Sequence, residues 1–541
     1  MNGKLIGIAL FLSGLSSCTL HRPGAGDYVT RAIVDPSEEY QTVESFGASD
    51  CWSVQFVGEN WPVCKRDSIA DLLFSLDFDG NGNPKGIGLS LWRFNIGGGT
   101  AEQGAESGIP NAWRRAECFL TGKGSYDWNK QAGQQWFIKA AKQRGVGKLL
   151  AFTNTAPVFF TKNGKGWSPG GSAYNIKPEK MDDYADFLAD VCGHFNGEGI
   201  VFDYISPFNE PQWNWAAPAT QEGSPARNGE IARVVRSLSP KLTARGLKTE
   251  IAIPETAQLQ YLYAHRDTAG RDNQLYAFFN PASPHYVGDI ANAKKAVMGH
   301  SYFTTSELNT LISVRKTLKD SLDNYKGMIS YWQSEFCILE DHPDLGGGGN
   351  RRDLGMATAL YVARVIHYDL SVANAASWSW WTALSAVDYK DGLVYLDRGD
   401  NGLRGAGDPG SGLLQQDGFF RDSKLLWAMG NYSRFIRPGM VRIDVRLDRT
   451  SSVEARATDL MLTGYKTEDN TMFVFVGINY SDNEQILSFA DFCGEQHIHD
   501  GTFECYTTSE SQNLQRSHVD GTRVAVGPKS VVTLVGRKAV E

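Results

Sequence analysis

The chain has 541 residues, which is enough for two domains, because a single hydrophobic core stops growing at about 250–300 residues. Its 53 basic and 61 acidic residues give a formal net charge of -8. This balance argues against a nucleic-acid partner, since the chain lacks the basic excess that a phosphate backbone attracts.

The N-terminal segment has the layout of a secretory signal. Lys4 precedes an apolar stretch at residues 5–12, and small residues then lead to Cys18. This pattern resembles a bacterial lipobox, in which the cysteine receives lipid. A short membrane anchor is the alternative, but the apolar run is well below the roughly 20 residues that span a bilayer. We therefore expect residues 1–18 to be a lipoprotein signal peptide. The protein would be a monomer of the cell envelope, held at the outer membrane or cell surface by lipid on Cys18 alone, or secreted.

The remaining seven cysteines are irregularly spaced, which argues against a disulfide framework, although Cys51 lies close to Cys64 and Cys493 to Cys505. They are typical of small buried apolar residues. Residues 77–82 begin like a calcium loop, but Gly88 stands where the bidentate glutamate should be. We expect no metal and no cofactor.

Residues 19–27 have the composition of a tether, and residues 28–43 become β-like. Strand-like and helix-like runs then alternate as far as about residue 381. The predicted strands are 44–52, 88–96, 148–153, 202–208, 249–254, 296–302, 328–335 and 375–381. The predicted helices are 127–144, 181–195, 230–245, 305–324 and 354–368.

Eight strand–helix repeats predict a (β/α)8 barrel over residues 44–436. A doubly wound open sheet is the main alternative, but it would normally have fewer strands and a phosphate-type glycine turn after the first strand. Short alternating runs at residues 441–447, 460–465, 471–478 and 523–534 predict a C-terminal antiparallel β-sandwich over residues 437–541. The strand within residues 19–43 has no evident partner in the barrel, so we expect it to pair with this sandwich.

Two carboxylates follow predicted strands. Glu210 lies in the motif Ser-Pro-Phe-Asn-Glu-Pro at residues 206–211, and Glu335 ends the β-prone run that starts at Ile329. Barrel enzymes place their chemistry at the carboxyl ends of strands. Either glutamate alone is weak support, since a glutamate after a strand is more often a surface or helix-capping group. Together they fit glycoside hydrolysis, which needs one acid to protonate the leaving oxygen and another to attack or stabilise the anomeric carbon.

Five motifs resemble glycoside hydrolase family 30, a retaining family. They are Phe46-Gly-Ala-Ser-Asp-Cys-Trp-Ser53, Leu89-Ser-Leu-Trp-Arg-Phe-Asn-Ile-Gly-Gly-Gly99, Pro207-Phe-Asn-Glu-Pro-Gln-Trp213, Gly299-His-Ser-Tyr302 and Gln333-Ser-Glu335. The stretch at residues 427–439 is similar to the family's last barrel helix. The resemblance covers nearly the whole chain after the signal segment, and its closest branch is that of the endo-β-1,6-galactanases.

The resemblance implies a double displacement with Glu210 as acid/base and Glu335 as nucleophile. It also implies that Asn209 binds the sugar 2-hydroxyl and that Arg93 keeps the nucleophile ionised. Tyr302 would donate to Glu335, with His300 beside it. For three residues a structural role remains open: an ion pair for Arg93, a core aromatic for Tyr302 and a buried imidazole for His300.

Aromatic side chains near the strand ends are candidates for sugar stacking. On the eighth barrel strand, alternation places Trp378 and Trp380 on one side and Trp381 on the other, so Trp381 is the predicted platform, with packing against the helix layer as its alternative. Trp52 and Trp213 are further substrate-binding candidates, and Asn154 and Glu255 are candidates for binding hydroxyl groups.

We therefore expect a retaining endo-glycosidase that acts on a plant-type polysaccharide, with β-1,6-galactan as the favoured substrate. A xylan or glucuronoxylan substrate, or exo action on a β-glycoside, is the alternative within the family. A catalytically silent glycan-binding protein is the non-enzymatic alternative, but it would be expected to lack one of the two carboxylates.

Overall fold

The computed structural model describes residues 29–539 except 123, 400–410, 450, 497, 499–501 and 520. Cys18 and the signal-like segment therefore lie outside the described residues. In the part of the chain that is described, no helix is long and apolar enough to cross a membrane. The seven cysteines there are free thiols, all of them buried except Cys64.

Eight parallel strands close into a barrel, which confirms the predicted fold. The last strand pairs with the first, with Phe46 opposite Trp378. The strands are almost wholly buried, because helices cover the outer face of the barrel. After the N-terminal strand β1 (Val29–Thr42), the barrel strands are β2 (Ser45–Ser49), β3 (Leu91–Asn95), β4 (Lys148–Phe152), β5 (Tyr204–Ser206), β6 (Glu250–Thr256), β7 (Ala293–His300), β8 (Ser330–Glu335) and β9 (Ala375–Trp380).

The helices alternate with the barrel strands, and each predicted helix has an observed counterpart. The first of these begins later than predicted, because Gln131 has a left-handed backbone (φ 54°) that precedes its first turn. The helices are α1 (Ser53–Asn60), α2 (Val63–Phe74), α3 (Thr100–Gln103), α4 (Ala132–Gln143), α5 (Met181–Gly197), α6 (Asn228–Ala244), α7 (Gln260–Tyr263), α8 (Gln274–Phe279), α9 (Leu308–Asp323), α10 (Met356–Ser371), α11 (Ser411–Leu414), α12 (Lys424–Ser433), α13 (Val453–Arg456) and α14 (Ala490–Gln496).

A three-stranded sheet that the sequence analysis did not predict follows β9. It consists of β10 (Thr382–Ser385), β11 (Gly392–Asp397) and β12 (Phe419–Asp422). The loop before β11 is joined to the glycine-rich loop after β8, because the Lys390 ammonium donates to the carbonyls of Gly348 and Asn350, both at 2.9 Å. A side chain at Gly349 would overlap the ring of Tyr389. These two loops form a wall beside the barrel mouth.

The C-terminal domain is the predicted β-sandwich. Its strands are β13 (Val441–Leu447), β14 (Leu460–Lys466), β15 (Met472–Asn479), β16 (Gln485–Ser488), β17 (Phe503–Ser509), β18 (Gln512–Val519), β19 (Arg523–Val526) and β20 (Ser530–Arg537). The single strand predicted at residues 523–534 is instead two strands. Pro528 lacks an N–H, and Lys529 has a left-handed backbone, so the chain turns between β19 and β20.

The N-terminal strand joins the two sides of the sandwich, which confirms its predicted pairing. β1 runs antiparallel to β13, with Val34 opposite Val445, and parallel to β16, with Thr30 opposite Leu487. The barrel helix α12 packs against the same domain, where the amide of Asn431 donates to the Tyr506 carbonyl at 2.9 Å. The described barrel and sandwich are therefore connected by buried hydrogen bonds as well as by apolar contacts.

Candidate active site

The carboxyl ends of β5 and β8 bring two buried glutamates together. Glu210 lies just after β5, and Glu335 is the last residue of β8. One ligand atom from each carboxylate and one from the His300 ring all lie within 4.8 Å of one another. Glu210 is 7% exposed and Glu335 is 3% exposed. The two carboxylates paired on the basis of the sequence are thus neighbours at the barrel mouth.

The backbone at Glu210 is held in an uncommon conformation. Its φ of 45° lies in the left-handed region, which residues with a side chain seldom occupy. The backbone N–H of Glu210 donates to the Glu255 carbonyl at 2.9 Å, and the indole N–H of Trp215 donates to the Glu210 carbonyl at 3.0 Å. Such strain costs about 1–3 kcal/mol and persists only where surrounding contacts enforce it. These two hydrogen bonds fix where the Glu210 side chain leaves the backbone.

Glu335 lies against one cation and one phenol. The guanidinium of Arg93 donates to one of its carboxylate oxygens at 2.5 Å, and the Tyr302 hydroxyl donates to the other at 3.0 Å. Arg93 also donates to the side-chain oxygen of Asn209 at 3.2 Å. Burial by itself would lower the pKa of Arg93, but the carboxylates of Glu255 and Glu335 outweigh burial and raise it. Arg93 therefore stays cationic and stabilises the negative charge on Glu335.

His300 is fully buried among three carboxylates. Its Nδ1 lies 3.0 Å from Glu210 and 3.5 Å from Glu335, and its Nε2 lies 3.1 Å from Glu255. Burial opposes the charged imidazole, yet the negative charge of Glu335 and the hydrogen bonds to Glu210 and Glu255 raise the pKa of His300 to about 10. The ring is therefore an imidazolium at neutral pH, and it donates a hydrogen bond from each nitrogen.

Glu255 is the negatively charged partner of both His300 and Arg93. Burial would raise the pKa of its carboxyl group, but the Arg93 charge and the hydrogen bonds from His300 and Ser334 lower it to about 2. Its side chain is fully buried and does not line the cleft. The sequence analysis named Glu255 as a candidate for binding hydroxyl groups, whereas the structure makes it the partner of Arg93 and His300.

Glu210 behaves differently from Glu255. Burial raises the pKa of Glu210, and this effect exceeds the opposing effects of the His300 hydrogen bond and charge. A raised pKa suits a general acid, which has to deliver a proton to the leaving group. The site thus combines a glutamate whose pKa is raised with a second glutamate that is paired with an arginine.

Asn209, Glu210, Tyr302 and Glu335 line a cleft of about 630 Å³. Trp381 lies in its wall and is 8% exposed, whereas Trp52 packs edge-on against Trp381 at 5.4 Å and supports it from outside the cleft lining. Trp378 and Trp380 are fully buried, and the indole of Trp378 donates to Asp369 on α10 at 2.9 Å. Of Trp378, Trp380 and Trp381, only Trp381 therefore lines the cleft, as the alternation predicted for this strand requires.

Trp213 lines the opposite part of the cleft, close to Glu210, and its ring packs edge-on against Phe303 at 6.1 Å. Asn154 is 2% exposed and does not line the cleft as it stands. Both polar atoms of the Asn154 side chain lack a hydrogen-bond partner among the described residues. Trp213 is thus in reach of a ligand, whereas Asn154 lies behind the wall.

Glu210, His300 and Glu335 are close enough to bind a metal ion in principle. The chemistry of this set disfavours a cation. A protonated His300 has no free lone pair, and the Arg93 guanidinium already occupies one side of Glu335. These groups are therefore better suited to proton transfer than to metal binding.

Several cleft residues are not predicted by the sequence. Arg114 and Gln221 lie in the wall and are joined by a hydrogen bond of 3.0 Å, and Phe303, Tyr389 and Asp391 line other parts of it. All of them are on loops beyond the strand ends, where no periodicity marks a functional side. Only Phe303 carried a usable signal, because it follows the Gly299-His-Ser-Tyr302 motif directly.

A larger cavity of about 840 Å³ lies between α10 and the β-sandwich. Two of its charged groups already have partners, since Asp344 pairs with Arg364 at 3.2 Å and Lys529 with Asp482 at 3.4 Å. The smaller cleft holds the two facing carboxylates and is the candidate active site.

The sequence model of O-Glycosyl hydrolase family 30 matches residues 29–395. An endo-β-1,6-galactanase of Hypocrea rufa is 28% identical over 239 residues, which are 41% of this chain and 48% of that protein. An exo-β-1,6-galactobiohydrolase of Bifidobacterium longum subsp. longum is 27% identical over 173 residues, 25% of this chain and 11% of that protein. The matches thus span about half of the first relative and about a tenth of the second.

Among solved structures, a conserved exported protein from Bacteroides fragilis is similar over 94% of this chain and 100% of that chain, with a TM-score of 0.85 and 35% identity. The family match covers most of the chain, including all eight barrel strands and both glutamates. The chain therefore belongs to O-glycosyl hydrolase family 30.

Proposed function

We propose that the protein is a retaining endo-β-1,6-galactanase in which Glu210 is the acid/base and Glu335 the nucleophile. The observation that carries this proposal is the spacing of the two carboxylates, whose closest oxygens lie within 4.8 Å. Retaining enzymes have carboxyl groups about 5–5.5 Å apart, whereas inverting enzymes separate them by about 6.5–9.5 Å to admit a water molecule.

The environments of the two glutamates fit the two roles. In the first step, a carboxylate oxygen of Glu335 attacks the anomeric carbon, and the proton of Glu210 passes to the glycosidic oxygen as that bond breaks. In the second step, Glu210 takes a proton from water, the water oxygen attacks the anomeric carbon, and Glu335 leaves as a carboxylate. Burial raises the pKa of Glu210 and keeps its proton available, while Arg93 and Tyr302 stabilise the charge on Glu335.

Neighbouring residues position the sugar. Asn209 is oriented by Arg93 and is placed to bind the 2-hydroxyl, a contact that strengthens as charge develops at the anomeric carbon. Trp381 offers a flat face to the sugar ring, and Trp52 keeps it in place. Asn154, with two unpartnered polar atoms behind the wall, would need a side-chain movement to reach a hydroxyl group.

Two sequence relatives named for β-1,6-galactan chemistry support the substrate. The cleft supports endo action, because its volume of about 630 Å³ exceeds the volume of a single hexose. The signal-like segment that ends at Cys18 supports export to the place where polysaccharides occur.

The first test is a substrate panel. Purified protein is incubated with β-1,6-galactan, arabinoglucuronoxylan and β-1,6-glucan, and the released reducing ends are measured. We expect galactan to be cleaved into oligosaccharides and Glu335→Gln to bind galactan without cleaving it. Preferential cleavage of xylan or glucan would replace the proposed substrate, and binding without any cleavage by the wild type would favour a silent glycan-binding protein.

The stereochemistry of the same reaction tests the mechanism. Proton NMR of the first product should show the β anomer, which later mutarotates, since double displacement retains configuration. An α anomer as first product would contradict the assignment of Glu335 as nucleophile.

A further inference from the structure

Phe303 is an unusual residue at the cleft mouth. It follows β7, and 44% of its side chain is exposed. Its backbone φ of 57° lies in the left-handed region, which is uncommon for an aromatic residue. A large apolar side chain held in this way next to catalytic carboxylates suggests a function, because strained conformations concentrate at binding sites.

The order of strands around the barrel divides the cleft into two sides. The arc from β5 through β6 and β7 to β8 carries Phe303, and Trp213 follows β5 at its start. The remaining arc runs from β8 through β9 and β2 and carries Trp381 and Trp52. Each side thus has one edge-on aromatic pair, with centroids 6.1 Å and 5.4 Å apart respectively.

The hydrogen bonds identify which side receives which part of the substrate. Arg93 links Asn209 with Glu335, so the sugar under attack lies towards β3 and the Trp381 side. Glu210 and Trp213 lie in one turn after β5, since the backbone N–H of Trp213 donates to the Glu210 carbonyl at 3.2 Å. A leaving sugar that takes its proton from Glu210 must therefore pass over Trp213 and Phe303.

We propose that Phe303, with Trp213 and the exposed Leu339, forms the platform that binds the first β-linked sugar on the leaving-group side of the scissile bond. This inference rests on the proposed function of the two glutamates. Leu339 lines the same cleft and is 41% exposed, so it adds to the apolar surface that Phe303 offers to a sugar ring. Phe303 is thus a specificity-determining residue for the leaving group.

Two substrates that share the same glycone but differ in their leaving group test the platform. β-1,6-Galactotetraose has a leaving sugar, whereas β-1,6-galactobiosyl fluoride has only fluoride as leaving group. We expect Phe303→Ala to lower kcat/KM for the tetraose by about tenfold, the loss that one aromatic contact of roughly 1.4 kcal/mol would produce. Hydrolysis of the fluoride should stay within about twofold of wild type.

Phe159→Ala is the matched control. Phe159 is also an exposed phenylalanine after a barrel strand, with 42% exposure, but it does not line the cleft. This variant should leave both substrates unaffected. Phe303→Leu keeps apolar bulk without the flat ring, so it should fall between Phe303→Ala and wild type on the tetraose, and it replaces Phe303→Ala in the comparison if that variant does not fold.

Equal losses on both substrates, or no loss on the tetraose, would overturn the platform. Cleavage of the two galactosides by the wild-type protein tests the proposed function separately. If the wild type cleaves neither galactoside, the substrate assignment is contradicted and the platform is not. In that case the same ratio is measured with a tetrasaccharide and a disaccharide fluoride of the polymer that the wild type does cleave.

Discussion

At the residue scale, the imidazolium of His300 couples the three carboxylates of the site. It donates to Glu210 on one side and to Glu255 on the other, and its charge opposes the effect of burial on Glu210. An acid/base residue must hold a proton in one step and accept one in the next, so its pKa has to stay near the working pH. In the proposed mechanism, His300 is a positioning residue whose hydrogen bond and charge lower the pKa of Glu210.

The first prediction concerns His300→Gln. Loss of the cation removes the hydrogen bond and the charge that lower the pKa of Glu210, so that pKa rises further above its ordinary value. Since the alkaline limb of kcat/KM reports deprotonation of the general acid, this limb should move to higher pH. The profile is measured on a β-1,6-galactan oligosaccharide, whose poor leaving group makes acid catalysis visible.

His367→Gln is the control for this shift. His367 is another buried histidine, but burial and the nearby Arg442 and Arg456 lower its pKa to about 3, so it is neutral at working pH. Its replacement should leave the profile unchanged. An alkaline limb of His300→Gln that stays in place or moves to lower pH would show that His300 does not control Glu210.

The catalytic candidates were accessible from sequence, because short polar motifs follow strongly β-prone runs. The role of Glu255 was not, since its contacts with Arg93 and His300 arise only where three strand ends converge. Phe303 and Phe159 show the same limit. Both follow barrel strands and are almost equally exposed, and only the packing of the loops decides that Phe303 faces the cleft.

At the element scale, close helix packing fixes the first part of the barrel. Helices α1 and α4 approach each other at Gly58 and Gly133. A Cβ at Gly133 would overlap the backbone carbonyl of Gln55, which is part of a helix and cannot rotate away. The glycines therefore set the distance between these two helices.

We predict that Gly133→Ala destabilises the protein by about 2 kcal/mol, the usual cost of overpacking a tight interior. The measurement is the free energy of unfolding in denaturant. The matched variant is Gly193→Ala in α5, where the added Cβ would meet only the Cδ of Arg245 at 3.8 Å. That change should stabilise the protein by about 0.5–1 kcal/mol, because alanine has the higher helix propensity. Equal effects of the two substitutions would contradict the packing argument.

The sequence predicts the barrel strands well, whereas it predicts the strands outside the strand–helix repeat poorly. The eight strands were found because each is a short apolar run between helices. The sheet formed by β10, β11 and β12 was missed, since β10 follows β9 almost without a break and β12 lies beyond a long connection. No local sequence pattern predicts such a strand pairing.

At the scale of the whole molecule, buried ionisable groups with shifted pKa values make stability depend on pH. Burial raises the pKa of Asp50 and of Glu222 to about 7, the pKa of His300 is about 10, and that of Glu255 is about 2. Asp50, Glu222 and His300 bind more protons in the folded state than in the unfolded state, so stability falls as pH rises past their unfolded pKa values. Glu255 binds fewer protons in the folded state than in the unfolded state. The stability that it contributes is therefore lost as pH falls from about 4.5 towards 2.

We therefore predict that stability is highest at about pH 4–5 and falls towards neutral pH. Glu222 accepts hydrogen bonds from the Gly98 N–H at 2.9 Å and the Thr100 hydroxyl at 2.6 Å. Replacing it by glutamine removes its titration, so the melting temperature of Glu222→Gln should fall less between pH 5 and pH 8 than that of the wild type. A parallel fall in both proteins would show that Glu222 is ionised throughout this range.

The sequence alone determined the barrel, the β-sandwich, the two facing glutamates and the family, because these depend on local runs and on short motifs with fixed spacing. Tertiary structure alone decided the charge state of His300, the buried role of Glu255 and the side of the cleft on which Phe303 lies. These features depend on distances between strand ends that are 45 to 90 residues apart in the chain. Burial and electrostatic coupling at such distances arise only when the barrel closes.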